Sequence, residues 1–227
     1  VIWQVTEAVI PLTVNTPQRL EAVKDMLVVL GRECPGILVR VVPQYHIERH
    51  TIQDAYNAIA SGLLGVQHKW VLYLEDDVEL DPCFGEKAAK VAAALSERYT
   101  VLSLFSRGNR DLQRLREGEL HYERRLPRFT YAQCLLMPNR VARAWGKELL
   151  TWADNEPNGY TGTPDIALGY CCQDHGWSIG SVVPSLAQHL VTPSSFGHGV
   201  CPQASTYGQR VRPLVASDGQ EGYAATR

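Results

Sequence analysis

The chain has 227 residues, 45% hydrophobic and 20% charged, with a formal net charge of −2 at neutral pH. That is enough for one α/β domain with a full core, or for two small ones. A broad nucleic-acid footprint, which shows as a basic excess, is disfavoured, and no run of about 18 apolar residues is present to span a bilayer.

In chain order, the apolar, β-branched stretch Val5 to Val14 predicts a first strand. Thr16-Pro17 opens a helix, Thr16 as cap and Pro17 in the first turn, with Leu20, Val23, Leu27 and Leu30 at helical spacing. Cys34-Pro35-Gly36 stops it, and Ile37 to Val42 predicts a second, buried strand broken only by Arg40. Residues 51–64 predict a helix capped by Thr51, and residues 70–74 a third strand. Then come a helix over 84–98, a strand over 100–105 and an irregular stretch, 106–128, with seven Arg against four acidic residues. A strand over 129–137, a helix from Asn139 to Leu150, a polar loop over 154–163, a helix over 164–175 and a short strand from Trp177 to Val183 follow. From Gly197 onward the Gly, Pro, Ser and Gln content predicts a mobile tail.

Short apolar strands alternating with helices of 10–15 residues predict a mostly parallel α/β sheet wound right-handedly. One domain over 1–198 is expected, with 199–227 as a tail able to close over the site as a lid. The six cysteines fit no zinc spacing, and there is no Asn-X-Ser/Thr acceptor. A reducing, cytoplasmic setting and a bacterial or viral origin are expected from these signs.

The most informative stretch is Trp70 to Phe84. An apolar strand, Val71 to Leu74, runs directly into Glu75, Asp76 and Asp77. Carboxylates leaving water unpaired are costly, and a divalent cation removes that cost. Oxygen ligands suit Mg²⁺ or Mn²⁺, ions that also take phosphate oxygens from a substrate. Parallel sheets place ligands at the carboxyl ends of their strands, where this triplet lies. The competing reading is a solvated turn. Three further features stand where a nucleotide-sugar transferase would need them: Asp165 at a helix start, His189 late in the chain, and the Ser194-Ser195-Phe196-Gly197-His198 turn.

The segment Leu74-Glu75-Asp76-Asp77-Val78-Glu79-Leu80-Asp81-Pro82-Cys83-Phe84 resembles the metal-binding DXD segment of GT-A glycosyltransferases of the N-acetylglucosaminyltransferase I type. The run Pro184 to His189, continuing to Gly197, is similar to their C-terminal motif. The resemblance covers roughly residues 5–198. It implies a GT-A fold and transfer of a sugar, as a hexosyl- or N-acetylhexosaminyltransferase, from a nucleoside diphosphate to a hydroxyl, with inversion.

By the same resemblance, Asp77 binds the metal, Asp76 touches the ribose or a metal-bound water, and Glu75 touches the ribose or base. His189 completes the metal shell, with His198 as competitor. Asp165 is the base that deprotonates the acceptor; capping its own helix is its alternative role, and Asp154 and Glu156 are fallbacks. Thr13, Asn15 and Arg19 at the exit of the first strand, and Asp54 and Asn57 on the 51–64 helix, would line the nucleoside. A UDP-sugar is the expected donor, and the acceptor is a glycan, a protein or a modified DNA base. Arg107, Arg110, Arg124, Arg125 and Arg128 would bind an anionic acceptor or pair within their own loop, and Arg210 and Arg212 belong to the lid. A non-catalytic nucleotide- or sugar-binding module and a Mg²⁺-dependent nucleotidyltransferase are the other readings; the absence of Gly or Lys from 13–18 counts against the second.

Overall fold

The computed structural model describes residues 6–13, 16–44, 52–106, 109–127, 129–155, 163–190, 203–204, 206–208, 211–215 and 221–225. A seven-stranded sheet organises them. Its strands are β1 (Glu7–Thr13), β2 (Leu38–Gln44), β3 (Trp70–Leu74), β5 (Val101–Ser103), β6 (His121–Glu123), β7 (Cys134–Pro138) and β8 (Ile179–Val182), in the order β2-β1-β3-β7-β5-β8-β6. Strands β1, β2, β3, β5 and β8 run one way; β7 and β6 run against them. This is the α/β, mostly parallel sheet flanked by helices that the sequence predicts.

The helices are α1 (Pro17–Glu33), α2 (Ile52–Leu64), α3 (Phe84–Leu95), α4 (Asn109–Arg116), α5 (Asn139–Asn155) and α6 (Pro164–Asp174). They divide over the two faces of the sheet. One face packs Val23, Met26 and Leu30 of α1 and Phe84, Ala88 and Ala92 of α3 onto Ile10, Leu72 and Leu74. The other packs α2, α5 and α6 around Tyr73, Leu135 and Trp145. Each strand residue therefore serves one layer, and consecutive residues serve opposite layers. Trp145 is fully buried, packs edge-on against Tyr73 with ring centroids 5.0 Å apart, and donates its indole N–H to the Pro164 carbonyl at 2.9 Å. That bond seats the start of α6 against the sheet.

Local departures from the expected pattern have physical reasons. β2 is an edge strand and half-buried rather than buried, with Arg40 reaching back to Glu7 of β1 at 3.3 Å. Thr16 and Thr163 occupy the N-cap positions of α1 and α6, but neither side chain makes the capping bond. The Arg-rich stretch is not irregular throughout, since it contains α4 and β6. The tail, expected to be mobile, contains an antiparallel pair, β10 (Val211–Val215) with β11 (Glu221–Ala225). Two short strands, β4 (Val78–Leu80) and β9 (Ala187–His189), also pair, and they position the site. Among the described residues the five cysteines 34, 83, 134, 171 and 172 are free, and no helix is long and apolar enough to cross a membrane.

Candidate active site

β3 delivers Glu75, Asp76 and Asp77 to the carboxyl end of the sheet. Asp76 and Asp77 are buried, with 4% and 2% exposure. Asp76 meets the first layer. Its Oδ2 accepts the Thr13 backbone N–H at 2.6 Å, and its Oδ1 pairs with Nη1 of Arg19. The other arm of that guanidinium, Nη2, reaches Oδ2 of Asp77 at 2.6 Å. Burial pushes the Asp76 carboxyl up, and the Arg19 charge pulls it back. Burial alone would weaken the Arg19 proton, but Asp76 and Asp77 overcome this and raise its pKa, so Arg19 is a permanent cation.

Glu75 reaches toward His189 and is the partly exposed member, at 32% of its side chain. Its carboxyl is pushed well above the usual range, first by desolvation and then by the charges of Asp77, Asp165 and Asp76. Glu75 also donates its backbone N–H to the Gln133 carbonyl at 3.0 Å, extending the β3–β7 ladder one step past Leu74 and Cys134. Gln133 is buried, and among the described residues its Oε1 has no hydrogen-bond partner.

His189 comes to the carboxylates through backbone pairing. β4 and β9 set Val78 opposite His189, and the Leu190 N–H donates to the Asp77 carbonyl at 2.8 Å. Ser185 ties this strand to the main sheet: its hydroxyl lies 2.7 Å from the Ala187 carbonyl and 3.2 Å from the Leu104 carbonyl, and it accepts the Ser106 N–H at 3.3 Å. The imidazole Nδ1 lies 3.1 Å from the Leu190 carbonyl, an acceptor only, so Nδ1 carries the proton. In the neutral ring, Nε2 then presents its lone pair to Asp77 Oδ1 at 3.5 Å and Glu75 Oε2 at 3.8 Å. Phe105 packs edge-on against the ring, centroids 6.4 Å apart.

Glu75, Asp77 and His189 bring one ligand atom each within 4.8 Å of one another. Two carboxylates and a fixed imidazole lone pair fit a borderline divalent ion of the Mn²⁺ class. The structure thus groups Glu75 with Asp77 and His189, whereas the sequence resemblance gives Glu75 to the ribose or base.

Asp165 lies in the first turn of α6. Its Oδ2 accepts the Tyr131 N–H at 2.7 Å, and its Oδ1 accepts the Ile166 N–H at 3.0 Å and the Thr163 hydroxyl. Burial pushes its carboxyl up, and these amides pull it back. Tyr131 adopts φ 78°, a left-handed conformation strained for an aromatic residue, and its ring lies 6.2 Å from that of Phe105. Arg124 supports the same segment, donating to the Thr130 carbonyl at 2.9 Å and lying over Phe129 at 5.3 Å. Arg114 pairs with Glu119 and lies over Tyr122 at 4.3 Å. These two arginines of the Arg-rich stretch therefore brace their own loop, and Arg125 is exposed.

Thr13 and Arg19, expected to line a nucleoside, both contact Asp76. Asp54 and Asn57 are exposed on the first turns of α2, outside the buried cluster. Asn15, His198, Glu156, Arg107, Arg128 and Arg210 lie outside the described residues, as do the side chains of Asp154, Arg110 and Arg212. Tyr131, Gln133 and Ser185 are absent from the sequence-derived site; each acts through a backbone contact to a residue more than 30 positions away or through a rare φ, neither of which has a sequence pattern.

No protein-family model and no curated protein sequence matches the chain. Solved structures do. The catalytic domain of Drosophila beta1,4-galactosyltransferase 7, in complex with xylobiose, is 11% identical over 99% of this chain and 93% of its own, with a TM-score of 0.48. A197 from STIV is 12% identical over 98% and 95%, TM-score 0.44. The inositol-1-phosphate CTP transferase from T. maritima is 9% identical over 86% and 93%, TM-score 0.43. The matches thus include a galactosyltransferase and a CTP transferase. At such values the likeness is one of chain path, and the chemistry rests on this chain's own side chains.

Proposed function

We propose that this chain is a divalent-metal-dependent glycosyltransferase that moves a sugar from a nucleoside diphosphate to a hydroxyl with inversion. The convergence of Glu75, Asp77 and His189 at the end of β3 carries this reading. Those three residues would hold the ion, which when bound offsets the charge developing on the departing diphosphate. With that charge met, no protein acid is needed at the leaving oxygen.

Asp165 then acts as the base. As the acceptor oxygen forms its bond to the anomeric carbon and the bond from that carbon to the diphosphate breaks, Oδ2 takes the hydroxyl proton. Burial makes this carboxylate more basic than a surface one, and the Tyr131 and Ile166 amides fix its orientation. Asp76, fixed by Thr13 and Arg19, orients the donor side. A UDP-sugar with Mn²⁺ is the expected pair, and the acceptor is a glycan, protein or modified base.

The test is release of nucleoside diphosphate from a panel of nucleotide sugars, with Mn²⁺, Mg²⁺ or EDTA, by the native chain and by Asp77→Asn and Asp165→Asn. Metal-dependent release with one donor, reduced in both variants, supports the reading. Pyrophosphate release from a nucleoside triphosphate would instead support a nucleotidyltransferase. Nucleotide binding without turnover would support a binding module.

A further inference from the structure

Arg19 is 6% exposed, and its two arms are divided between neighbouring buried carboxylates, Asp76 and Asp77. The charge of Glu75 also acts on it. Adjacent carboxylates withdrawn from water do not both ionise without a nearby cation. A planar fork suits two acceptors on one chain turn, and α1 presents that fork from its first turn. Asp77 consequently faces two ways, with Oδ2 on Arg19 and Oδ1 toward Nε2 of His189. An ion seated among Glu75, Asp77 and His189 would share Asp77 with the guanidinium, and like charges so placed repel by an amount that depends steeply on separation and local dielectric.

We infer that Arg19 is an internal counter-cation that lets the Asp76–Asp77 pair fold before any metal arrives and limits how tightly the metal is then held. It is a positioning residue. Removing its charge relieves the repulsion felt by the ion and leaves the carboxylates needing that ion more. The inference rests on the metal reading above and adds to it a reason for the ion to be exchangeable.

The experiment is calorimetric titration of Mn²⁺ into the native chain, Arg19→Met and Arg19→Lys, with melting curves in EDTA and in Mn²⁺. Arg19→Met should melt lower than native in EDTA, gain more on adding Mn²⁺, and bind Mn²⁺ more tightly by about tenfold or more. Arg19→Lys keeps a charge but can span only one carboxylate. It should fall between the two, and it decides the matter if Arg19→Met does not fold. Native binding of Mn²⁺ with equal or weaker binding in the folded variants overturns the inference and leaves the metal reading standing. Absence of Mn²⁺ binding in all three chains overturns both. Binding by the variants alone also overturns the inference, since the native chain would then hold no exchangeable ion.

Discussion

Gly169→Ala perturbs the active site through packing, without touching any residue that faces substrate. Gly169 lies in the middle of α6, where the helix crosses the segment leading to Tyr131. An added Cβ would stand 2.0 Å from the Pro127 carbonyl oxygen and 3.2 Å from Cβ of Phe129. Since real Cβ contacts hardly ever fall below 3.0 Å, about 1 Å must open between helix and segment. The obstructing atom is backbone and accepts the Phe129 N–H at 2.7 Å, so it yields at the cost of that bond. Overpacking of this kind costs about 3 kcal/mol at the upper end, and alanine returns roughly 1 kcal/mol of helix propensity. A net loss of about 2 kcal/mol lowers Tm by about 4–8 °C in a chain of this size. The same opening loosens the bond from the Tyr131 N–H to Asp165, and a misplacement of about 1 Å costs on the order of a hundredfold in rate. Calorimetry, and donor hydrolysis measured well below both melting points, read the two effects. A variant with native Tm and native rate would refute the claim that this crossing sets the position of Asp165.

Three other outcomes follow from the same geometry. Asp165→Asn can accept only one of the Tyr131 and Ile166 amides and should melt somewhat below native, while losing about 10²–10⁴ in rate, the usual range for a general base; a rate within twofold of native would reassign Asp165 to capping. His189→Ala should weaken Mn²⁺ binding at least about tenfold, measured by calorimetry, and unchanged affinity would remove His189 from the ion's shell. Glu7 governs acid stability. Burial would raise its pKa, but the His68 and Gln67 amides, at 2.9 and 2.8 Å, and Arg40 overcome this and hold it below 4.5. A depressed folded-state pKa gives stability that is present above the unfolded value of 4.5 and lost as pH falls through the folded value. Native chain and Glu7→Gln should therefore differ most in denaturant midpoint near neutral pH, and the gap should narrow as pH falls through the folded value. A gap that does not narrow on acidification would contradict this.

Features set by short stretches of chain were legible in the sequence. The strand Trp70–Leu74 announced itself by its apolar run, and α6 by Thr163-Pro164-Asp165 at its head. The carboxylates Glu75 to Asp77 and His189, which come together in the structure, were likewise singled out from local motifs. The partners of these residues were not legible, because long-range contacts choose them. Arg19 and Asp76 are 57 positions apart, and a polar residue one turn into an amphipathic helix reads as surface until the facing strand end is known. Glu75 and Asp76 are adjacent in sequence, yet one reaches His189 and the other Arg19 and Thr13. β4 and β9 are three residues each, too short for a period, and exist by pairing with each other. The left-handed φ of Tyr131 breaks the usual rule for its residue type, and the Asp165 carboxylate accepts its N–H.

The central claim is that these carboxylates and His189 bind a nucleotide through a metal. Melting curves of the native chain and Asp77→Ala, with each nucleoside diphosphate in the presence of Mn²⁺ or EDTA, test it most directly. At a hundredfold excess over the dissociation constant the bound state gains about 2.7 kcal/mol, a rise of about 5–10 °C here. The account predicts that rise for the native chain with one nucleotide and Mn²⁺, and its loss in EDTA and in Asp77→Ala. No rise with any nucleotide, or an equal rise in Asp77→Ala, would contradict it.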